Sequence, residues 1–228
     1  HVLRAGDCSF NNLGVTTYMM LSSTMPKDLV QEKGYYPVGG CGANIAWHTE
    51  DDTLEIADKV NLLRDMRVYA AIVLRTLNAP VAPFDYRTTL DEMSDVVWEY
   101  QQAAGDAFDF APTVQAIEKL RRTLDFFYSM TFNLDSETDQ AEIPKANRAQ
   151  RQLARILVNL GYTSDGRFRH DPARAVPTLP DLAAARQLTE ADDAYRRVVQ
   201  NELTRAQNKV VWELTKAREV AERVLGGG

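Results

Sequence analysis

The sequence has little of what several protein classes require. Its 228 residues contain two cysteines, Cys8 and Cys41, which are too few for a disulfide scaffold. With 26 basic and 32 acidic residues the formal net charge is −6, which disfavours nucleic acid as the main partner. No apolar run approaches the roughly 18 residues of a membrane span, so we predict no membrane helix. Because the chain starts at His1 without an initiator methionine or a signal-peptide pattern, we expect it to be part of a larger protein.

The composition indicates a globular protein in which the N-terminal part and the rest of the chain have different residue patterns. Hydrophobic residues make up 45% and charged residues 25%, and the length suffices for one large domain or two modest ones. Half of the 12 glycines fall in the first 42 residues, where the β-branched and aromatic run 15–21 predicts a buried strand between loops. After Asp52 the hydrophobic period becomes helical. We therefore predict a mostly α chain with a few strands near the N-terminus, the remnant of an α/β or α+β fold.

Helical periodicity and its stop signals predict five helices after residue 52. Pro80 ends the first, Gly105 the second and Gly161 the fourth, while Pro112 suits the first turn of the third. The last helix would be unusually long, so we expect it either to break or to pack along much of a bundle. The proline- and glycine-bearing stretch 161–180 predicts irregular structure. The predicted helices cover approximately residues 60–77, 89–104, 112–127, 145–160 and 189–225.

Residues that could carry chemistry are concentrated in the segment 39–53. His48 lies in a glycine-bounded loop, and imidazole nitrogen is a common metal ligand. By spacing alone a lone histidine is more often a surface residue, and no HExxH or CxxC pattern supplies the further ligands of a catalytic zinc. Cys41 has no histidine in an obvious base position. The acidic residues Glu50, Asp51 and Asp52 fit the first turn of a helix better than an acid–base pair.

Two further groups of polar residues have their own interpretations. Asp7 could orient a substrate or cap a turn, and its position between Gly6 and Cys8 favours the turn. Six arginines form the main cationic concentration, with Asp165 and Asp171 interleaved among them, so we expect a salt-bridged helix face rather than an anion site. These arginines are Arg148, Arg151, Arg155, Arg167, Arg169 and Arg174.

The residues around His48 form a longer motif. From Trp47 to Ile56, an aromatic residue is followed by His-Thr, then by Asp-Thr-Leu and an acidic-apolar helix start that continues to Asp58. This pattern resembles the closing motif of the zinc aminopeptidase and glutamate-carboxypeptidase family. The segment 7–15 contains the motifs Asp-x-x-Phe and Gly-Val, and it resembles the segment that precedes a strand in that family. The link 82–86, Ala-Pro-Phe-Asp-Tyr, and the segment 166–170 are similar to the branch shared with the transferrin receptor, in which a helical dimerisation domain follows.

The resemblance implies a zinc peptidase of which this chain holds only the end. In such enzymes two zinc ions are held by histidines and carboxylates, and His48 matches the last of these ligands. The other ligands would precede His1, so we expect the chain itself to be inactive and not to bind zinc tightly. Trp47 stands where the family often has tyrosine. Gly40 and Gly42 would line the substrate cleft through their backbone. Arg174 lies near the position of the basic residue with which family members bind a substrate carboxylate. The candidate substrate-binding residues are Asp7, Gly40, Gly42, Trp47 and Arg174.

The resemblance also implies two domains. Residues 1–85 would end the α/β peptidase domain, and residues 86–228 would form a helical domain that makes a homodimer. The leading hypothesis is the C-terminal part of a zinc-dependent aminopeptidase or carboxypeptidase, in which water activated by two zinc ions hydrolyses a peptide substrate. The alternative is a non-catalytic dimerisation or receptor-like module of the same family. A third hypothesis, an all-helical interaction domain without catalytic ancestry, predicts that residues 1–50 lack a strand beside a glycine loop.

Overall fold

The computed structural model describes residues 13–15, 26–35, 46, 49–163 and 176–226. These residues are mostly helical, as predicted, and they contain no strand. Of the predicted strand 15–21 only Val15 is described, and it lies outside regular secondary structure. Short 3-10 helices cover Leu54–Ile56, Gly105–Ala107 and Pro180–Gln187. The α-helices are α1 (Lys27–Glu32), α2 (Lys59–Asn78), α3 (Arg87–Ala104), α4 (Ala111–Thr131), α5 (Glu142–Tyr162) and α6 (Asp193–Leu225).

The chain divides into two compact units. One comprises Tyr18–Ala79 and contains α1 and α2. The other comprises Pro80–Gly228 together with His1–Thr17 and contains α3 to α6. Among the described helices of both units, none is long and apolar enough to cross a membrane.

Helix α2 begins where Asp58 caps it. The Asp58 carboxylate accepts hydrogen bonds from the backbone N–H groups of Val60 and Asn61, at 2.8 and 3.1 Å, which satisfies two donors of the first turn. None of the residues of α2 is buried. Its large apolar side chains recur at amphipathic spacing on one broad face, which remains exposed. This apolar face consists of Leu62, Leu63, Met66, Tyr69, Val73, Leu74 and Leu77.

Local sequence signals set the ends of the helices in the second unit. Gly105 ends α3 with a φ of 54°, a conformation that favours glycine. Pro112 lies in the first turn of α4, as predicted. Asp192 caps α6, because its carboxylate accepts hydrogen bonds from the N–H groups of Ala194 and Tyr195 at 3.0 and 2.8 Å. This helix therefore begins at Asp193 rather than near residue 189.

Helix α6 runs without a break for 33 residues and forms one side of the core. Its buried residues recur every three or four positions from Val199 to Val220, the spacing of a helix packed along most of its length. It packs against α4, α5 and the 3-10 helix Pro180–Gln187. One buried polar contact joins α4 to α6: the Thr113 hydroxyl donates to Gln207 Oε1 at 2.9 Å. Of the two predicted possibilities, the structure therefore shows packing along the bundle.

Phe110 is the last residue of the turn between α3 and α4. Its ring is fully buried, with its centroid 4.9 Å from that of Phe108 and 6.4 Å from that of Tyr100. The Phe110 N–H donates to Gln101 Oε1 at 2.9 Å, and Gln101 Nε2 donates to the carbonyl oxygens of Gly105 and Phe108, each at 2.9 Å. One side-chain amide thus satisfies the backbone of the turn while the aromatic rings exclude water from it.

Candidate functional site

None of the residues predicted to form a site lies in the described part of the chain. The predicted zinc ligand is His48, and the predicted substrate-binding residues are Asp7, Gly40, Gly42, Trp47 and Arg174. The other two histidines and both cysteines also lie outside it. Among the described residues, no group of three or more histidine, cysteine, aspartate or glutamate side chains is placed to hold a metal ion. The described residues by themselves therefore do not provide the ligands of a zinc site.

Described residues flank the Trp47–His48 pair in the sequence. The carbonyl oxygen of the buried Ala46 accepts two hydrogen bonds from Thr49, one from its N–H at 3.0 Å and one from its hydroxyl at 2.7 Å. The Thr49 hydroxyl also accepts a hydrogen bond from the Asp51 N–H at 3.2 Å. The threonine of the His-Thr motif therefore binds the Ala46 carbonyl oxygen through both its backbone and its side chain.

The acidic run after His48 does not start a helix. Glu50, Asp51 and Asp52 are exposed and precede a 3-10 helix, and α2 begins only at Lys59. The prediction that these three residues form the first turn of a helix is therefore wrong. The physical reason is that Asp58 occupies the N-cap, from which one carboxylate reaches two free N–H groups of the helix.

Two amides on α5 hold the link 80–86 against that helix. Asn147 accepts a hydrogen bond from the Ala82 N–H at 2.8 Å and donates to the Pro80 carbonyl oxygen at 2.7 Å. Gln150 donates through Nε2 to the carbonyl oxygens of Phe84 and Ala82, at 3.1 and 3.3 Å. Its Oε1 is buried and has no hydrogen-bond partner among the described residues. The amides are three residues apart, so they lie on neighbouring positions of one helix face.

Replacing Gln150 with alanine is expected to lower the free energy of unfolding by about 1–3 kcal/mol, because two backbone carbonyls of the link lose their donor. Gln152→Ala is the matched control, since that half-buried side chain forms no hydrogen bond with a described residue, and it should cost less than about 0.5 kcal/mol. Urea unfolding followed by circular dichroism measures both. Equal losses in the two variants would show that the hydrogen bonds to the link do not stabilise the unit.

Charge and hydrogen bonds fix the end of the link to α3 and α4. The Arg87 guanidinium donates to Asp85 at 2.6 Å and to Asp125 at 3.1 Å, and it lies 5.1 Å from the ring centroid of Tyr128. The Tyr86 N–H donates to the Tyr128 hydroxyl oxygen at 2.9 Å. Partial burial raises the pKa of the Asp85 carboxyl, but hydrogen bonds and charge from Arg87 outweigh it and hold the pKa below its ordinary value. These residues therefore have a structural role as a rigid joint.

A pocket of about 560 Å³ opens between residues 13–15, the link 80–86 and α5. Gly14 lets the first of these segments pass close to the helix, because its φ is +71° and a Cβ placed there would lie 2.2 Å from the Arg155 Cα. Arg151 also lines the pocket. The pocket can therefore accept an apolar group that carries negative charge at one end. Its apolar lining includes Leu13, Val15, Ala82, Phe84 and Ala154.

The arginines of α5 are not paired as predicted. Arg148, Arg151 and Arg155 are exposed, and none forms an ion pair or hydrogen bond with a described residue. Glu142 is the only acidic residue of α5, and it pairs with Lys145 at 3.0 Å, which leaves no carboxylate on the helix for the three arginines. The predicted salt-bridged face is therefore wrong at these positions. Five other members of that predicted face lie outside the described residues: Asp165, Arg167, Arg169, Asp171 and Arg174.

Comparison with known proteins gives no assignment, because no family model, curated protein or solved structure matches the chain.

Proposed function

We propose that this chain is the C-terminal part of a zinc-dependent exopeptidase that hydrolyses peptide substrates. The observation that carries the proposal is the motif from Trp47 to Ile56 with Asp58. Two members of this motif have defined local roles, since Thr49 donates to the Ala46 carbonyl oxygen and Asp58 caps α2. His48 would contribute one zinc ligand, and the remaining ligands would come from outside the 228 residues. Zinc would supply the activated water for hydrolysis in the complete enzyme.

The exposed apolar face of α2 supports this proposal. Leu62, Leu63 and Met66 are each about half exposed, at 55%, 49% and 59%, and Leu77 is 75% exposed. A helix with a continuous apolar stripe normally packs it against another layer of its domain, and in α/β domains that layer is a sheet. A helix from the end of an α/β domain, without the sheet it covers, would expose such a stripe.

The helical unit would then be the dimerisation domain that follows the peptidase domain in the transferrin-receptor branch. The rigid joint at Asp85 and Arg87 supports this interpretation, because it fixes the link to the first two helices of the unit. A homodimer formed through this unit is part of the same proposal.

The 228-residue chain is expected to hold well below one zinc ion per chain after dialysis, because one matching ligand does not make a zinc site. The complete enzyme should hold about two, as in other two-metal hydrolases. Atomic emission spectrometry measures both, and an aminoacyl-anilide assay follows peptidase activity. Tight stoichiometric zinc in the 228-residue chain would contradict the ligand assignment.

A complete protein that binds no zinc and cleaves no peptide substrate would contradict the enzyme proposal. That result would favour the receptor-like module of the same family, whose helical unit would still form a homodimer.

A further inference from the structure

Three arginines form a stripe along the outer side of α5. Arg148, Arg151 and Arg155, the arginine stripe, are separated by three and four residues, so they share one face of the helix and span about 10 Å along it. Like charges at this spacing repel one another in an isolated helix. The stripe therefore carries unfavourable charge that a partner of opposite sign would neutralise.

Several arginines elsewhere in this unit are paired with carboxylates. Arg87 contacts Asp85, Arg121 contacts Asp91, and further ion pairs join arginines of α6 to their neighbours. The chain has 32 acidic residues and a net charge of −6, so carboxylates are abundant. Other exposed arginines without a described ion-pair partner are distributed over several helices, whereas the stripe brings three together on one face of α5.

Apolar hollows adjoin the stripe on α5. The pocket of about 560 Å³ includes Arg151 and Arg155 together with apolar side chains such as Phe84 and Ala154. A smaller hollow of about 280 Å³ between α5 and α6 includes Arg148 beside Val220 and Val224. Each hollow therefore combines guanidinium groups with a surface that an aliphatic side chain can cover.

We propose that the arginine stripe binds an acidic polypeptide segment whose aliphatic side chains enter the adjoining hollows. Guanidinium groups match carboxylates with two parallel hydrogen bonds, so glutamates or aspartates would engage the stripe directly. The apolar hollows favour a polypeptide over a nucleic acid, since a phosphate backbone offers them no aliphatic group. None of the stripe residues is a zinc ligand of the proposed function, and binding to the stripe does not depend on peptidase activity.

The direct test measures binding of a fluorescein-labelled eight-residue peptide of six glutamates and two leucines by fluorescence anisotropy. The triple variant R148Q/R151Q/R155Q is expected to bind about tenfold more weakly than the unchanged chain, because individual exposed ion pairs contribute little and three are lost together. The matched control is R122Q/R197Q/R205Q, which removes the same charge at exposed arginines of α4 and α6. It should change the affinity by less than about twofold. Circular dichroism verifies that both variants remain folded.

Two comparison peptides separate the charged and the apolar parts of the surface. Replacing all glutamates with glutamine should abolish binding, and replacing both leucines with serine should weaken it several-fold. No binding of the original peptide, or equal losses in the two triple variants, would overturn the proposal. Equal affinity of the serine peptide would overturn the role of the hollows. Oligothymidine that binds as tightly as the peptide and loses affinity in the same variant would show a general polyanion surface and would overturn the polypeptide assignment.

Discussion

Replacing His48 with alanine in the complete enzyme is expected to reduce peptidase turnover by at least about 100-fold. Under the proposed function His48 is a direct zinc ligand, and even changes in the residues that orient such ligands typically cost 10- to 100-fold in affinity or activity. The free energy of unfolding should change little, since the role of the side chain would be ligation rather than packing. Steady-state kinetics, zinc content and thermal unfolding measure the three quantities.

His170→Ala is the matched control for this prediction. It removes the same side chain at a position in the sequence where no zinc ligand is proposed, so activity and zinc content should remain unchanged. A His48→Ala enzyme with normal turnover and full zinc content would contradict the ligand assignment. Loss of activity together with loss of folded structure would instead assign His48 a role in stability.

Replacing Phe110 with alanine is expected to lower the free energy of unfolding of the helical unit by about 3–5 kcal/mol. The ring is fully buried and contacts the rings of Phe108 and Tyr100, so its removal leaves a cavity at the turn between α3 and α4. Urea unfolding measures this loss of free energy directly when the m-value, its dependence on urea concentration, is the same in both proteins.

The control for this substitution lies on α4, the helix that follows Phe110. Phe126 of α4 is 54% exposed, and its replacement with alanine should cost less than about 1 kcal/mol. Similar losses of stability at Phe110 and Phe126 would contradict the prediction that burial of the Phe110 ring stabilises the helical unit.

The helices of the second unit could be predicted because their apolar residues and end signals agree. The interval 89–104 predicted for α3 differs from the observed Arg87–Ala104 by two residues at its start. Gly161 shows where such signals fail: it was predicted to stop α5, but the helix continues to Tyr162. A Cβ at Gly161 would lie 3.0 Å from the Met93 Cε, so this glycine permits close packing between α3 and α5.

The hydrogen bonds that hold the link, and the lack of ion pairs between the arginine stripe and the described residues, could not be predicted from spacing. Asn147 and Gln150 bind backbone groups at least 65 residues earlier in the chain, and periodicity carries no information about such partners. The arginines of α5 were expected to find carboxylates because acids lie nearby in the sequence. Pairing depends on which side chains meet in space, and Arg148 meets none among the described residues. The predicted His48 site remains a prediction, because it lies outside the described residues.

The position of α6 has a consequence for the order in which the molecule folds during synthesis. Helices α4 and α5 both pack against α6, yet the last residue of α5 precedes the end of α6 by 63 residues, from Tyr162 to Leu225. At translation rates of about 5–20 residues per second, roughly 3–13 s separate the two events. During this interval the nascent chain lacks one side of its core, so its apolar surfaces are open to chaperones and to neighbouring nascent chains. The helical unit therefore completes its fold late, when its final helix becomes available.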